Sequence, residues 1–371
     1  MSVTSPLPPL IDQHCHGVVR TQLGIGSFEP YLTEAHAPAA PGTTYFDTQT
    51  GFAVRRWCPP LLGLEPHCPP AHYLARRREL GPYEATRRLL AGTGIGTFLV
   101  DTGLPGDLTA PDELAGIAGG AAHEIVRLES VAEQVADASA TAAAFVSDLA
   151  EAVHAAAETA IAFKSVAAYR HGLALAPQPP SPAYVRLAAE DWLAARAPGG
   201  RVTDPVLLRH LLWNAVATGL PLQLHTGFGD PDLRLDRADP TLLTDFVRAT
   251  ADSGAAIVLL HGYPYHRQAA YLAHVFPHVY ADVGLALTHT GSRAAAVLAE
   301  TLELAPFGKL MFSTDAYGLP ELFVTGARLF TDALERLFTA WVDEGAWSRP
   351  DADRVAALLV DGNARRVYRL P

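Results

Sequence analysis

Short apolar runs of strand length recur along the chain, separated by longer stretches whose apolar residues return at helical spacing. The runs are LIDQHCH (10–16), IGTFLVDTG (95–103), AHEIVRLES (122–130), AIAFKSVAAY (160–169), PLQLHTG (221–227), AIVLLHG (256–262), HVYADVGLA (278–286) and KLMFSTDA (309–316). Each is nearly continuous in apolar residues, the pattern of a parallel strand buried on both faces. Between them, Ala-, Leu- and Arg-rich segments at 131–158, 204–219, 239–254, 291–305 and 321–345 predict amphipathic helices. Asp204–Pro205 and Asp239–Pro240 each supply an N-cap followed by proline at the first helical position. Eight strands alternating with helices predict an α/β fold, a (β/α)8 TIM barrel running as one domain over 1–371. A doubly wound open sheet would carry a Gly-rich phosphate loop after its first strand, and HCHGVV is not one.

The spacing is uneven in one place. Residues 17–90, between the first and second runs, are rich in Pro, Gly and aromatics, and their end (71–92) has a helical pattern. On a barrel, an insertion after strand 1 emerges at the C-terminal face, where it is expected to form a lid or a substrate wall.

Composition narrows the function. A chain of 371 residues, 49% hydrophobic and 18% charged, has material for a large core. The formal net charge of -11 disfavours a nucleic-acid partner, which needs a basic face. MSVTSPLPPL has neither the basic nor the apolar region of a signal peptide, and no run of about 18 apolar residues would span a membrane. Three cysteines, Cys15, Cys58 and Cys68, suit a reducing cytoplasm better than a disulfide framework. Of 28 basic residues only Lys164 and Lys309 are lysines, so a lysine that survives is a candidate for work arginine cannot do.

The strand ends carry the chemistry: His14 and His16, Asp101, Glu129, Lys164, His225, His261, Asp282 and Asp315. In a barrel all of these converge on one rim, where burying so many ionisable groups is costly unless they pair or bind a cation. Residues two apart on a strand share a face, so His14 and His16 can reach one ion, and imidazole suits zinc, iron or manganese. H-x-H alone is a weak motif. His225, His261 and Asp315 at later strand ends make a metal centre the expectation. Tyr169 and Arg170 follow the fourth strand and Arg234 the fifth, where arginine suits capture of a substrate carboxylate; a surface pair with Asp230 or Asp232 is the plainer alternative. His171 and His266 read as loop or supporting histidines, and Asp282 as a carboxylate that orients a ligand histidine. Cys58, His67, Cys68 and His72 match no common zinc spacing. Cys15 alternates away from the two histidines and reads as a packed core thiol.

The order H-x-H, His, His, Asp over eight strands resembles the amidohydrolase superfamily. FKSVAAYRHGL, LPLQLHTGFGDPDLRL, IVLLHGYPYHRQAAYLAHVFPHVYADVGLA, ELAPFGKLMFSTDAYGLPE and the closing GNARRVYRL more closely resemble one branch of it. That branch is the amidohydrolase domain found fused to type I glutamine synthetase-like enzymes in fungal conidiation and plant nodulin-related proteins. The likeness covers about 160–371 and is anchored by the H-x-H strand; 17–90 and 104–158 match less distinctly, and no synthetase half is expected in 371 residues. The resemblance implies that His14, His16, His225 and Asp315 ligate metal, that Asp315 also serves as base, and that His261 is a further ligand or a catalytic acid. Lys164 has three readings: a carboxylated lysine bridging two metals, an ammonium gripping a substrate carboxylate, or an ion pair with Asp101 or Glu129. Glu129 is itself a lesser candidate ligand.

The expected activity is that of a cytoplasmic metal-dependent hydrolase. Metal-activated water would attack an amide C–N bond of a small carboxylate-bearing molecule, and the association with synthetase-like partners suggests a γ-glutamyl amide. The expected cofactor is a divalent metal, zinc first, with manganese or iron as alternatives, as one or two ions. A decarboxylase or lactonase of the same superfamily is the first alternative, a catalytically silent binding or regulatory barrel the second. A small-molecule substrate is the expected partner, with neither nucleic acid nor membrane, and apolar loops after the strands are compatible with a homodimer.

Overall fold

A computed structural model describes residues 7–371. The first part of the N-terminal stretch, read above as lacking a leader pattern, lies outside the described residues. The chain divides into two compact units, one formed by residues up to His123 together with Asp282–Pro371, the other by Glu124–Ala281.

In the first unit, Leu10–Cys15 (β1) pairs in parallel with Ile95–Asp101 (β2), and all six residues of β1 are buried. The eighth predicted strand is only partly regular. Phe307–Lys309 is a 3-10 turn, and 310–316 runs beside β1 without forming a regular ladder. Three backbone bonds tie it there: Gln13 N to Phe312 O (3.1 Å), Asp315 N to His14 O (3.0 Å) and His16 N to Ala316 O (2.8 Å). Asp315 takes a positive φ of 51°, which departs from strand geometry and makes the pairing irregular, although backbone bonds resume at Ala316 and Gly318.

Residues 17–90 are mostly helical: Gln49–Leu61, Pro70–Leu80 and Pro82–Ala91, preceded by single turns. The first of these helices contains Pro59 and Pro60 in its last turn. Proline has no N–H to give, so the carbonyl of Arg55 would lose its helical donor; the amide of His67 replaces it at 2.6 Å. Phe28 stacks on Phe46 (5.7 Å between centroids) and meets the edge of Tyr73 at 6.3 Å. Cys58, Leu62, Leu74 and Leu89 fill the space around them, together with Leu319 and Val324 of the segment after Asp315.

That packing encloses a charge. Arg77 Nε lies 2.7 Å from Glu321 Oε1, and Tyr73 donates its hydroxyl to the same oxygen at 2.6 Å. Arg77 is 3% exposed and Glu321 fully buried. Glu321 sits in the first turn of the helix Pro320–Asp343, a few residues after Asp315, so the pair fastens the 17–90 region to the chain that follows Asp315.

In the second unit, Ala121–Arg127 (β3), Ala162–Ser165 (β4), Leu222–Thr226 (β5), Ile257–His261 (β6) and Val279–Ala281 (β7) pair in chain order, all parallel. The unit begins within β3, at Glu124. β3 stops at Arg127, and Glu129 lies in the first turn of the helix Leu128–Ala138 rather than at a strand end. Thr141 caps a new helix, Ala142–Ala156, so the predicted 131–158 helix is two. The Asp204 cap forms as expected, accepting from Val206 N (2.8 Å) and Leu207 N (3.0 Å). Asp239 instead caps a 3-10 turn, Pro240–Leu243, which leads into Thr244–Ala249. A further helix, Pro182–Ala195, is opened by Ser181 and Pro182. Among the described residues no helix is long and apolar enough to cross a membrane.

Removing one partner of a buried ion pair strands the other charge. Arg77→Ala is expected to lower stability by about 3–5 kcal/mol in urea unfolding. Tyr73→Phe, which removes one hydrogen bond to the carboxylate, is expected to cost about 1.5–3 kcal/mol. An R77A loss below about 1 kcal/mol would show that Glu321 is not isolated from water in this way.

Candidate metal centre

Strand alternation at the end of β1 puts His14, and His16 one residue past the strand, on the same side, with their rings edge to face at 5.2 Å. Both Nε2 atoms point at one carboxylate oxygen, Asp315 Oδ1, from 3.1 Å for His14 and 3.4 Å for His16. The backbone sets this up, because the amide of Asp315 donates to the carbonyl of His14 at 3.0 Å. Gly17, the next residue after the pair, is required by crowding: a Cβ there would lie 2.4 Å from the carbonyl oxygen of Thr109.

The tautomer of His16 follows from its partner. His16 Nδ1 lies 3.0 Å from the carbonyl oxygen of Asp101, which can only accept, so Nδ1 carries the proton. A neutral His16 then aims the lone pair of Nε2 at a carboxylate. That contact is repulsive unless the ring takes a second proton or a cation lies between the two. Two imidazole nitrogens and one carboxylate oxygen, all within 4.8 Å of one another, are a donor set that fits a divalent ion of the zinc, iron or manganese kind. His14 is fully buried, while Asp315 keeps 14% of its side chain exposed and so stays accessible.

Other side chains brace the first unit's group. Asp12, two positions before His14, accepts from Thr314 N at 2.9 Å and from the Thr314 hydroxyl. Burial pushes the Asp12 carboxyl up to about 8 against those two bonds. The Asp101 carboxylate accepts from Gly103 N at 2.8 Å. Asp282 accepts from Gln13, from Ser313 Oγ (3.0 Å) and from Gly284 N (3.3 Å). Two residues that sequence reasoning missed also lie here. The Tyr317 ring stands edge-on to His16 at 6.1 Å and packs on Tyr31 at 5.5 Å. Tyr317 sits two positions from Asp315 and was within reach of inspection; nothing in the sequence marks Tyr31.

The second unit gathers another set. His225 ends β5 and His261 ends β6, with ring centroids 4.6 Å apart, and Tyr169 packs on His225 at 4.5 Å. A Cβ on Gly229 would strike the Tyr169 hydroxyl, so the glycine makes room for that ring. His225 Nε2 lies 3.1 Å from the carbonyl of Phe228, which can only accept, so in the neutral ring Nε2 carries the proton and the lone pair is on Nδ1. Like Asp315, His261 has a positive φ, 68°. Lys164 lies on β4 and is 2% exposed.

The remaining candidates are dispersed. Glu129 uses one oxygen to accept from Ser165 Oγ (2.6 Å) and Val166 N (3.0 Å), and burial raises its carboxyl above the usual range. Arg170 faces Glu133 at 3.4 Å and is largely buried, which lowers its pKa. Arg234 is exposed and pairs with Asp236 rather than Asp230 or Asp232. His266 is buried and stacked on Tyr263, and His171 ends the short helix Ala167–Arg170. Cys15 is buried against the Leu99 carbonyl with its thiol pushed up by burial, as expected of a core cysteine.

A family model described as Amidohydrolase matches residues 103–370. Over 223 residues the chain is 36% identical to the protein fluG of Emericella nidulans, covering 57% of this chain and 26% of that protein. The chain therefore spans about a quarter of the length of the curated relative it matches. A solved structure from Lactobacillus casei, described as that of a metal-dependent hydrolase, shares 27% identity with a TM-score of 0.83, over 98% of this chain and 95% of that one. The glucuronate isomerase of Caulobacter crescentus superposes with a TM-score of 0.64 at 14% identity, over 100% of this chain and 92% of that one, a likeness of fold alone. With the parallel strands above, these likenesses give an α/β fold of the TIM-like barrel class.

If His14, His16 and Asp315 hold a cation, then protein purified without chelators carries a divalent metal, and His14→Ala or Asp315→Ala loses it while circular dichroism stays that of the folded chain. Elemental analysis decides: metal content unchanged in both variants rules this group out.

Proposed function

The chain belongs to the amidohydrolase family and is an enzyme of the metal-dependent hydrolase type, and on that premise we propose that it cleaves an amide C–N bond of a small carboxylate-bearing substrate. A γ-glutamyl amide is the first candidate, because the sequence motifs resemble amidohydrolase domains joined to glutamine synthetase-like partners. In this reading the metal is zinc first, with manganese or iron as alternatives.

The observation that carries the proposal is the convergence of two imidazole nitrogens on one Asp315 oxygen, at 3.1 and 3.4 Å. A divalent ion bound by these residues supplies Lewis acidity, bringing the pKa of water towards ~7 and polarising a carbonyl. The Asp101 carbonyl holds His16 in the tautomer whose Nε2 can ligate. Asp315, partly exposed, takes the proton from the attacking water. Water's oxygen joins the acyl carbon, the C–N bond breaks, and the departing nitrogen leaves as an amine or ammonia carrying that proton.

The resemblance supplies the further roles. By that resemblance His225 would be a further ligand, and His261 either a ligand or an acid acting towards the carbonyl oxygen. Lys164 would be either a carboxylated metal ligand or an ammonium that binds the substrate carboxylate. Tyr169, Arg170 and Arg234 would be the substrate-binding candidates, Arg170 facing Glu133 and Arg234 facing Asp236 in the structure. The burial of Lys164 in a chain with two lysines favours a role that guanidinium cannot fill.

Metallated protein should release amine or ammonia from members of a γ-glutamyl amide panel, lose that activity with a chelator and regain it with added divalent ion. Asp315→Asn should lower turnover by about 10²–10⁴-fold. A fully metallated preparation that cleaves no amide, but opens a lactone or decarboxylates an acid, would replace hydrolysis of C–N bonds with the alternative chemistry. For Lys164, the test is Lys164→Arg: full metal content and full activity in that variant rule out the carboxylated bridge.

A further inference from the structure

The closing motif GNARRVYRL takes part in none of the roles above, yet its side chains reach both stretches that carry His14, His16 and Asp315. Asn363 Nδ2 donates to the carbonyls of Phe307 (2.7 Å) and Leu310 (2.8 Å), and Arg366 donates to the carbonyl of Gly308. The helix Asn363–Val367 thus grips the chain where it enters 310–316.

Tyr368 extends the grip to β1. Its hydroxyl lies 2.5 Å from Gln13 Oε1, and Gln13 Nε2 faces Asp282 Oδ2. The direction of each bond is fixed by chemistry. A carboxylate only accepts, so the amide nitrogen must face Asp282, the amide oxygen must face Tyr368, and the phenol must donate. Asp282 Oδ2 accepts a second bond from Ser313 Oγ at 3.0 Å. All four residues are buried: Tyr368 is 3% exposed, Gln13 and Asp282 are fully buried, and Ser313 is 1% exposed. Gln13 is the residue before His14, and Ser313 lies two before Asp315. The chain of bonds from Tyr368 through Gln13 and Asp282 to Ser313 therefore crosses from β1 to the irregular 310–316 segment beside the candidate ligands.

We propose that Tyr368 is a positioning residue for the metal centre: through Gln13 and Asp282 it fixes β1 against 310–316, and with them the approach of His14 and His16 to Asp315. The inference rests on reading those three residues as metal ligands. Its physical basis is the irregular ladder at this place: backbone bonds join the two stretches on both sides of the left-handed Asp315, which breaks their register next to the candidate ligands. Without the phenolic hydroxyl the Gln13 amide keeps its bond to Asp282 but loses the donor to its oxygen, and the side-chain cross-link slackens.

The test compares wild-type and Tyr368→Phe protein, full chain, loaded with Co²⁺. Three quantities are read: the Co²⁺ dissociation constant by competition with a chromogenic chelator, the visible spectrum of bound Co²⁺, and the melting curve of each metal-free protein. The expected result is Co²⁺ bound about tenfold more weakly or worse, with an altered spectrum, while the metal-free melt moves little. Wild-type affinity and spectrum in Y368F overturn the proposal. So does an affinity loss matched by a collapse of the metal-free melt, which makes the role one of general stability. A wild-type protein that binds no Co²⁺ defeats the metal-centre reading itself, and this outcome is distinct from the other two. Should Y368F fail to fold, Ser313→Ala, which removes a different donor to Asp282, carries the same expectations.

Discussion

Two imidazole nitrogens and a carboxylate oxygen within 4.8 Å of one another are the constraint around which the first unit is arranged. Lone pairs do not gather by attraction. They are held together by covalent sequence, since a strand forces His14 and His16 onto one face, and by backbone pairing, since the amide of Asp315 is tied to the carbonyl of His14. The Asp101 carbonyl removes the remaining freedom of His16 by fixing which nitrogen is protonated. Electrostatics opposes this arrangement until a cation or an extra proton occupies it, so much of the surrounding polar network serves to resist relaxation. Asp12 with Thr314, and Gln13 with Asp282 and Ser313, are parts of that resistance.

The same backbone device occurs in each unit. Asp315 and His261 both adopt the left-handed region at the end of an extended segment, with φ of 51° and 68°. For residues with a Cβ such conformations cost of order 1–3 kcal/mol and persist where neighbours over-determine them. Aspartate, asparagine and histidine are the residues with a Cβ found there most often, so both positions carry side chains the region tolerates. At both positions the turn changes the direction of the side chain abruptly, which regular strand geometry does not allow.

Much of this was legible in the sequence because burial on both faces leaves a plain signature. Six of the predicted strands, including those carrying His14, Lys164, His225 and His261, coincide with observed strands, and the seventh survives as Val279–Ala281 alone. The pattern failed where it could not distinguish a buried strand from other buried chain. KLMFSTDA is as apolar as its neighbours, but the positive φ of Asp315 keeps its pairing irregular. AHEIVRLES reads as one run, yet the helix starts at Leu128 and removes Glu129 from the strand end. The helix Gln49–Leu61 was obscured by its two prolines, whose missing donor is replaced from far along the chain by His67. Long-range partners left still less trace: H-x-H and the final Asp are visible as letters, but the contacts of Tyr31, Gln13 and Tyr368 exist only once the chain is folded.

The pair Arg77–Glu321, enclosed by Tyr73 and Phe28, has a consequence for how such a chain can change over time. Two well-packed apolar side chains in that space would serve stability about as well as the ion pair, or better. Every single-step route to that arrangement, however, passes through a chain holding one buried, uncompensated charge. A path downhill at both ends is therefore blocked in the middle, and drift at either position is held back by the other. The link between the 17–90 region and the segment bearing Asp315 is thus locked historically as well as mechanically. Variation in that region is expected to collect in its exposed turns and to leave this anchor alone.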